Sequence, residues 1–298
     1  MHTASRHRLA LALIFITPAL WSVNALIARW APGVVEPHVL ALSRWLMAGL
    51  LFTLGTRAEL WAHRRQILAD WQHYLVLGAL GMWICGAWVY IGGRTTSAAN
   101  IGLIYAISPV LIVLISALWL GERFRLQQAL GVVLALGGVL HVVLKGQWAA
   151  LGAVQFVPGD GWILAATLSW TLYSLLLKKW HSPLGAGARL AVISLAGAVV
   201  NLPFAAWEVL HSSQPALPLE GLGLALTAAV IPGFGAYLAH SVMQRELGAA
   251  RVSVVLYLAP IYSAFMGWLV LNEALHAYHA AGMALVLPGI YLVTRIQK

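Results

Sequence analysis

The stretch from Ala98 to Val142 aligns without a gap on Ala249 to Val293, with twelve of 45 positions identical at a constant offset of 151. Pro109 falls on Pro260, Leu120 and Glu122 on Leu271 and Glu273, Gly131 and Gly138 on Gly282 and Gly289. Apolar residues match by chance, but helix-perturbing Pro and Gly at fixed spacing seldom do. A period of half the chain excludes short-period solenoids and asks for two copies of one larger unit. A weaker match joins the start of each copy: Trp21, Ser22 and Arg29 fall on Trp170, Thr171 and Lys178 at an offset of 149.

The solvent these copies fold in follows from their content. Of 298 residues, 61% are hydrophobic and 9% charged, and the mean hydropathy is +0.83, far from the make-up of soluble domains. Spans of about 20 apolar residues are predicted near 9–28, 39–55, 74–92, 99–118, 127–144, 161–177, 187–207, 221–241, 250–270 and 279–294. Arg6 and Arg8 before the first run resemble a signal peptide, but the run is long and lacks a small-residue cleavage site, so it reads as a span. The net charge of +9 suggests no nucleic-acid partner, because the basic residues form no stripe and lie between apolar segments. Cys85 is the only cysteine, which rules out an intrachain disulfide and a cysteine-built metal site.

Lys and Arg set the orientation. With a cytoplasmic amino terminus, fourteen fall inside (Arg6, Arg8, Arg57, Arg64, Arg65, Arg123, Arg125, Lys178, Lys179, Arg189, Arg245, Arg251, Arg295, Lys298) and three outside (Arg29, Arg94, Lys145), with Arg44 within a span. This positive-inside bias also checks the count, since a missed helix would swap every later loop. Five spans per copy is odd, so the copies enter the membrane in opposite directions. The expected fold is an all-α polytopic membrane protein, ten transmembrane helices in two inverted five-helix repeats, 1–148 and 149–298, around a central cavity.

Pro109 and Pro260 each lie about 20 Å of helix from the glutamate closing their span, deep in the bilayer, where proline removes a backbone hydrogen bond and tends to kink the helix. The symmetric pair reads as hinges. Pro232, opposite Gly81 under the offset, is a third candidate. Aromatics at span ends, such as Trp30, Trp61 and Trp207, read as interfacial anchors. Those further inside need polar partners, and the expected cavity lining is Trp21, Asn24, Trp83, Tyr90, Asn100, Tyr105, Trp170, Tyr173, Tyr237, His240 and Tyr257. Asn24 and Asn100 are expected to take the charged part of a solute. Arg44 is the one ionised side chain placed inside a span, an expensive position. It either contacts a substrate carboxylate or snorkels to the outer surface, and both readings stay open. His240 is a candidate proton shuttle beside its bland role as a packing residue. His276 and His279 lack a third ligand, so no metal and no cofactor is expected. No midspan carboxylate, protease constellation or Walker loop supports an enzyme or an ATP-driven pump.

The deep proline, the Gly121-Glu122 or Asn272-Glu273 at the helix end and the following glycine-spaced helix, present twice, resemble the EamA family of the drug/metabolite transporter superfamily. Within it the chain looks most like the YddG-type exporters of aromatic and other amino acids. The resemblance implies a basket-shaped cavity opened to either side by bending of paired helices. It also implies export of an amino acid or similar small metabolite across a bacterial inner membrane, with both termini cytoplasmic and a monomer as the simplest unit. Export of cationic drugs by the same fold, or a non-transporting receptor or scaffold, are the alternatives. Asn272 in place of Gly121 and Pro288 in place of Gly137 put equal motion of the two halves in doubt.

Overall fold

The computed structural model describes residues 2–120, 125–148, 157–213, 215–247 and 254–294. Gly121, Glu122 and several of the counted charges lie outside the described residues, as does the side chain of Tyr257. Everything regular among the described residues is helical. The first half holds α1 (His2–Trp30), α2 (Pro37–Ala62), the short α3 (Arg64–Ala69), α4 (Trp71–Gly78), α5 (Cys85–Gly93), α6 (Ala98–Tyr105), α7 (Ser108–Leu120) and α8 (Leu126–Val143). The second holds α9 (Pro158–Lys179), α10 (Ala186–His211), α11 (Leu219–Ala228), α12 (Ala236–Leu247), α13 (Val254–Leu271) and α14 (Ala277–Thr294). Among the described residues, seven helical stretches are long and apolar enough to cross a membrane, and two shorter apolar ones cover Leu258–Leu271 and Ala277–Leu292. Helix starts follow local chemistry. Pro37 and Pro158 open α2 and α9, where the missing N–H would have had no helical partner, and Ser97 caps α6 by accepting from the Asn100 N–H at 3.1 Å.

Helices that occupy corresponding places in the two copies pack on each other, α2 on α10 and α8 on α14. Helix α1 lies against α12 and α13, and its counterpart α9 lies against α5, α6 and α7. At the α8–α14 seam the repeat glycines do the joining. A Cβ on Gly138 would stand 2.9 Å from the Gly282 carbonyl oxygen, and one on Gly289 would stand 2.7 Å from that of Gly131. The rising number on one helix meets the falling number on the other, so the two run antiparallel. The 151-residue offset exchanges the two contacts, the pattern of a two-fold related interface. Small residues let backbones approach this closely, which is how helices associate where lipid removes the hydrophobic drive.

Three of the rods are interrupted. Wide π turns at Ala79–Ile84 and Ala229–Gly235 link α4 to α5 and α11 to α12, and the offset carries one onto the other. Such turns concentrate at functional sites. Pro232 lies within the second; Gly81, its partner in the repeat, lies within the first. The fourth stretch breaks between Tyr105 and Ser108. Pro109 has no N–H for the Tyr105 carbonyl four residues back, and the Ser108 hydroxyl donates to that carbonyl at 2.6 Å instead. Pro260 acts differently: α13 runs unbroken through it. The two prolines are equivalent in sequence, yet only the first coincides with a helix break.

Candidate functional site

Helices from both copies enclose a cavity of about 200 Å³, below the usual range for drug-sized ligands. Its wall takes Trp21 and Asn24 from α1, Arg44 and Trp45 from α2, Cys85 from α5, Tyr105 and Ser108 flanking the α6–α7 break, Trp170 from α9, Tyr237 from α12 and Ser263 from α13. Small residues give it room. Gly102 faces α13, where a Cβ would meet Ser263 at 2.5 Å, and Gly86 faces Trp45, whose ring nitrogen would lie 2.6 Å from an added Cβ. Either substitution would fill the space between the lining helices.

Tyr237 is the hub of the aromatic wall. Its ring meets Trp21, Trp45 and Trp170 edge-on at 6.3, 6.1 and 6.4 Å between centroids, within the favourable range for edge-to-face pairs. Trp170 in turn lies 5.0 Å from Tyr173, and His240 sits 5.5 Å from Trp21.

Arg44 is 5% exposed, and its Nη1 donates to Asn24 Oδ1 at 2.7 Å and to Tyr90 Oη at 3.1 Å. The Tyr90 hydroxyl donates to the same Asn24 oxygen at 2.9 Å, so both lone pairs of that oxygen are used. The guanidinium carbon stands 4.4 Å over the Trp45 ring. Arg44 Nε and Trp45 Nε1 are buried without a hydrogen-bond partner among the described residues, and no carboxylate lines the cavity among the described residues. An unpaired buried charge is costly, and among the described residues Asn24, Tyr90 and the Trp45 ring are what stabilises this one.

Of the residues expected at the cavity, Trp21, Asn24, Arg44, Tyr105, Trp170 and Tyr237 come together on its wall. Tyr90, Tyr173 and His240 back them from behind. Trp83 turns away and stacks on Phe204 at 4.2 Å. Asn100 is also elsewhere, in a buried polar knot that joins three helices. There Thr96 Oγ1 donates to Asp160 Oδ1, Asn100 Nδ2 bridges both Asp160 oxygens at 3.2 and 3.3 Å, and Asn100 Oδ1 lies 3.2 Å from His279 Nε2. Since His279 Nδ1 accepts from the His276 N–H at 3.1 Å, Nε2 carries the proton and donates to Asn100. Asp160→Ala is expected to strand these donors and lower stability by about 1–3 kcal/mol, read as a drop in melting temperature in detergent. An unchanged melting temperature would show that the knot bears no load.

Sequence reasoning missed Trp45, Cys85, Ser108 and Ser263 as cavity residues. Trp45 had a signal, adjacency to Arg44. Ser263 had another, since it lies one turn from Pro260, where a residue faces the same side as the proline.

At the end of the bundle where α1 and α13 stop, the second motif glutamate forms a tie. Asn272 takes a left-handed φ of 54°, the backbone state a helix commonly ends on and that Gly or Asn best tolerates. That turn directs Glu273 back over the helix end. Its Oε1 accepts from Arg29 Nε at 2.8 Å and its Oε2 from the Ala98 N–H at 2.9 Å, and Arg29 Nη1 also donates to the Gly93 carbonyl at 2.7 Å. One carboxylate therefore fastens α1, α6 and α13 together. Beyond the α6 break, α7 packs instead on α9 and α14.

A bundle of apolar helices, duplicated and joined around a cavity with a buried guanidinium and no carboxylate among the described lining residues, is the architecture of a small-molecule transporter class of membrane protein. The EamA-like transporter family matches residues 8–144 and again 157–295, and the chain belongs to that family. It is similar to the uncharacterized transporter YyaM of Bacillus subtilis, 25% identical over 91% of this chain and 90% of that one. It is likewise similar to the S-adenosylmethionine/S-adenosylhomocysteine transporter of Chlamydia muridarum, 24% identical over 89% and 85%. A solved crystal structure aligns with a TM-score of 0.64 at 24% identity, covering 95% of both chains, which supports the fold.

Proposed function

We propose that the protein is a secondary transporter that exports amino acids or similar small carboxylate-bearing metabolites across a bacterial inner membrane by alternating access. The observation that carries this reading is Arg44, a buried guanidinium facing an aromatic-walled cavity with hydrogen-bonding capacity to spare. Guanidinium groups take carboxylates through charge-assisted hydrogen bonds, and the Trp and Tyr faces suit an apolar or planar side chain. The small volume and the lack of a lining carboxylate among the described residues count against bulky cationic drugs.

The reading keeps ten crossings, with the two halves inverted and both termini cytoplasmic, as the charge count suggests. In that frame the Arg29–Glu273–Ala98 tie closes the cavity toward the outside. The break before Pro109 lets α7 diverge toward the inside, so that substrate enters from the cytoplasm. Bending at Pro109 and at the two π turns then exchanges the open side. Close likeness to YddG-type exporters remains part of the proposal and sets the first substrates to try.

Liposomes carrying the purified protein are expected to take up at least one member of an amino-acid panel, with S-adenosylmethionine added, faster than empty liposomes. No difference for any member would sink amino-acid transport.

A further inference from the structure

We propose that this cavity prefers small monocarboxylates of net charge −1 over zwitterionic amino acids of the same shape. The inference rests on the transporter reading and sharpens its substrate class. The wall carries one fixed charge, Arg44, with no carboxylate among its described residues. A carboxylate beside the guanidinium brings the site to neutrality. A zwitterion adds an ammonium that restores the net charge of +1 in a low-dielectric space, and that ammonium needs acceptors of its own.

What the wall lacks among its described residues is a charged acceptor. Asn24 Oδ1 is saturated by Arg44 and Tyr90. The Tyr105 carbonyl, freed by Pro109, already takes the Ser108 hydroxyl. The Ser263 hydroxyl donates to Ser22 Oγ at 3.1 Å and the Ser22 hydroxyl to the Pro18 carbonyl at 2.8 Å, which leaves Ser263 Oγ as a neutral acceptor only. On the wall, the atoms left buried without partners among the described residues, Arg44 Nε and Trp45 Nε1, are donors, and donors recognise anions. Trp45 holds its ring under the guanidinium and its N–H beside Gly86.

Phenylpyruvate at −1 and phenylalanine at zero share one ring and one carbon skeleton and so isolate charge, and phenethylamine at +1 keeps the ring and the ammonium but lacks the carboxylate. Counterflow into proteoliposomes is expected to run at least about tenfold faster for phenylpyruvate than for phenylalanine, with none for the amine. Tryptophan fluorescence titration of the detergent-solubilised protein should give the same order of affinities. Arg44→Gln should bring the phenylpyruvate to phenylalanine ratio close to one, and Arg44→Lys should keep phenylpyruvate ahead. Equal or faster phenylalanine flux in the unaltered protein overturns the charge preference while leaving transport intact. Absence of flux for all three and for the amino-acid panel overturns the transporter reading itself. Because the preference is read on the unaltered protein, a variant that fails to fold does not shield it.

Discussion

Gly138→Leu is expected to remove nearly all correctly folded protein, while Gly137→Leu, one residue earlier on the same helix, leaves the yield unchanged. A Cβ at Gly138 would meet the Gly282 carbonyl oxygen at 2.9 Å, Leu285 Cβ at 2.9 Å and Val286 Cγ2 at 2.8 Å. One of those is backbone, so α8 and α14 must separate along their seam. Overpacking a core that yields costs about 1–3 kcal/mol, and separating a helix pair forfeits the rest of its contacts, so a loss of about 3 kcal/mol or more is expected, over a hundredfold in folded fraction. Gly137 has nothing within 4 Å of an added Cβ. Monodisperse yield by size-exclusion chromatography checks the pair, and equal behaviour of the two variants would refute the seam. Gly282 adds a graded case. Its nearest obstruction is a methyl of Val142, so Gly282→Ala should recover with Val142→Ala, whereas trimming Val286 should not rescue Gly138→Leu.

The seam shows what sequence made legible. The offset marked Gly131, Gly138, Gly282 and Gly289 as equivalent, because glycine at fixed helical spacing inside apolar runs is seldom accidental. It did not say that Gly138 would meet Gly282 and Gly131 would meet Gly289, which depends on how the copies dock. Arg44 was legible for a similar reason, since a guanidinium is out of place in an apolar run, but its partners Asn24 and Tyr90 come from other helices and leave no local mark. Asn100 was misplaced by the same blindness. Its amide is suited to a solute, and only packing shows that Asp160 and His279 already occupy it. The π turn at Ala79–Ile84 contains no proline, so periodicity runs straight through it. The break before Pro109 could be placed from chemistry, because the missing N–H is a covalent fact. Pro260 shows the limit of that argument: α13 runs continuous through it, with Pro260 buried against Gly102.

With the proposed orientation, Glu273→Gln is expected to open the cavity toward the outside, and the native Cys85 reports it. Cys85 is the only cysteine and lies on the cavity wall, so its modification by an impermeant maleimide measures access from whichever side receives the reagent. The Glu273 carboxylate bonds to the Arg29 guanidinium and the Ala98 N–H; glutamine keeps an acceptor for the amide and loses the charge for Arg29. Hydrogen bonds to charged groups contribute about 1.5–3 kcal/mol, and Arg29, with 31% of its side chain exposed, falls at the lower end through solvent screening. A shift of about 1.4 kcal/mol moves a two-state population tenfold, so labelling of intact cells should rise about tenfold while labelling of inverted vesicles falls. The repeat supplies the counter-test. The offset of 151 carries Glu273 to Glu122 and Ala98 to Ala249, and the offset of 149 carries Arg29 to Lys178. If alternating access exchanges the roles of the two copies, Glu122→Gln removes the equivalent tie of the outward-open state and drives Cys85 access toward the inside. Both variants favouring the same side, or neither altering access, would mean that the glutamates only cap their helices and that the exchange of ties is wrong. Opposite shifts require that one motif, written twice, closes the two faces of the membrane in turn.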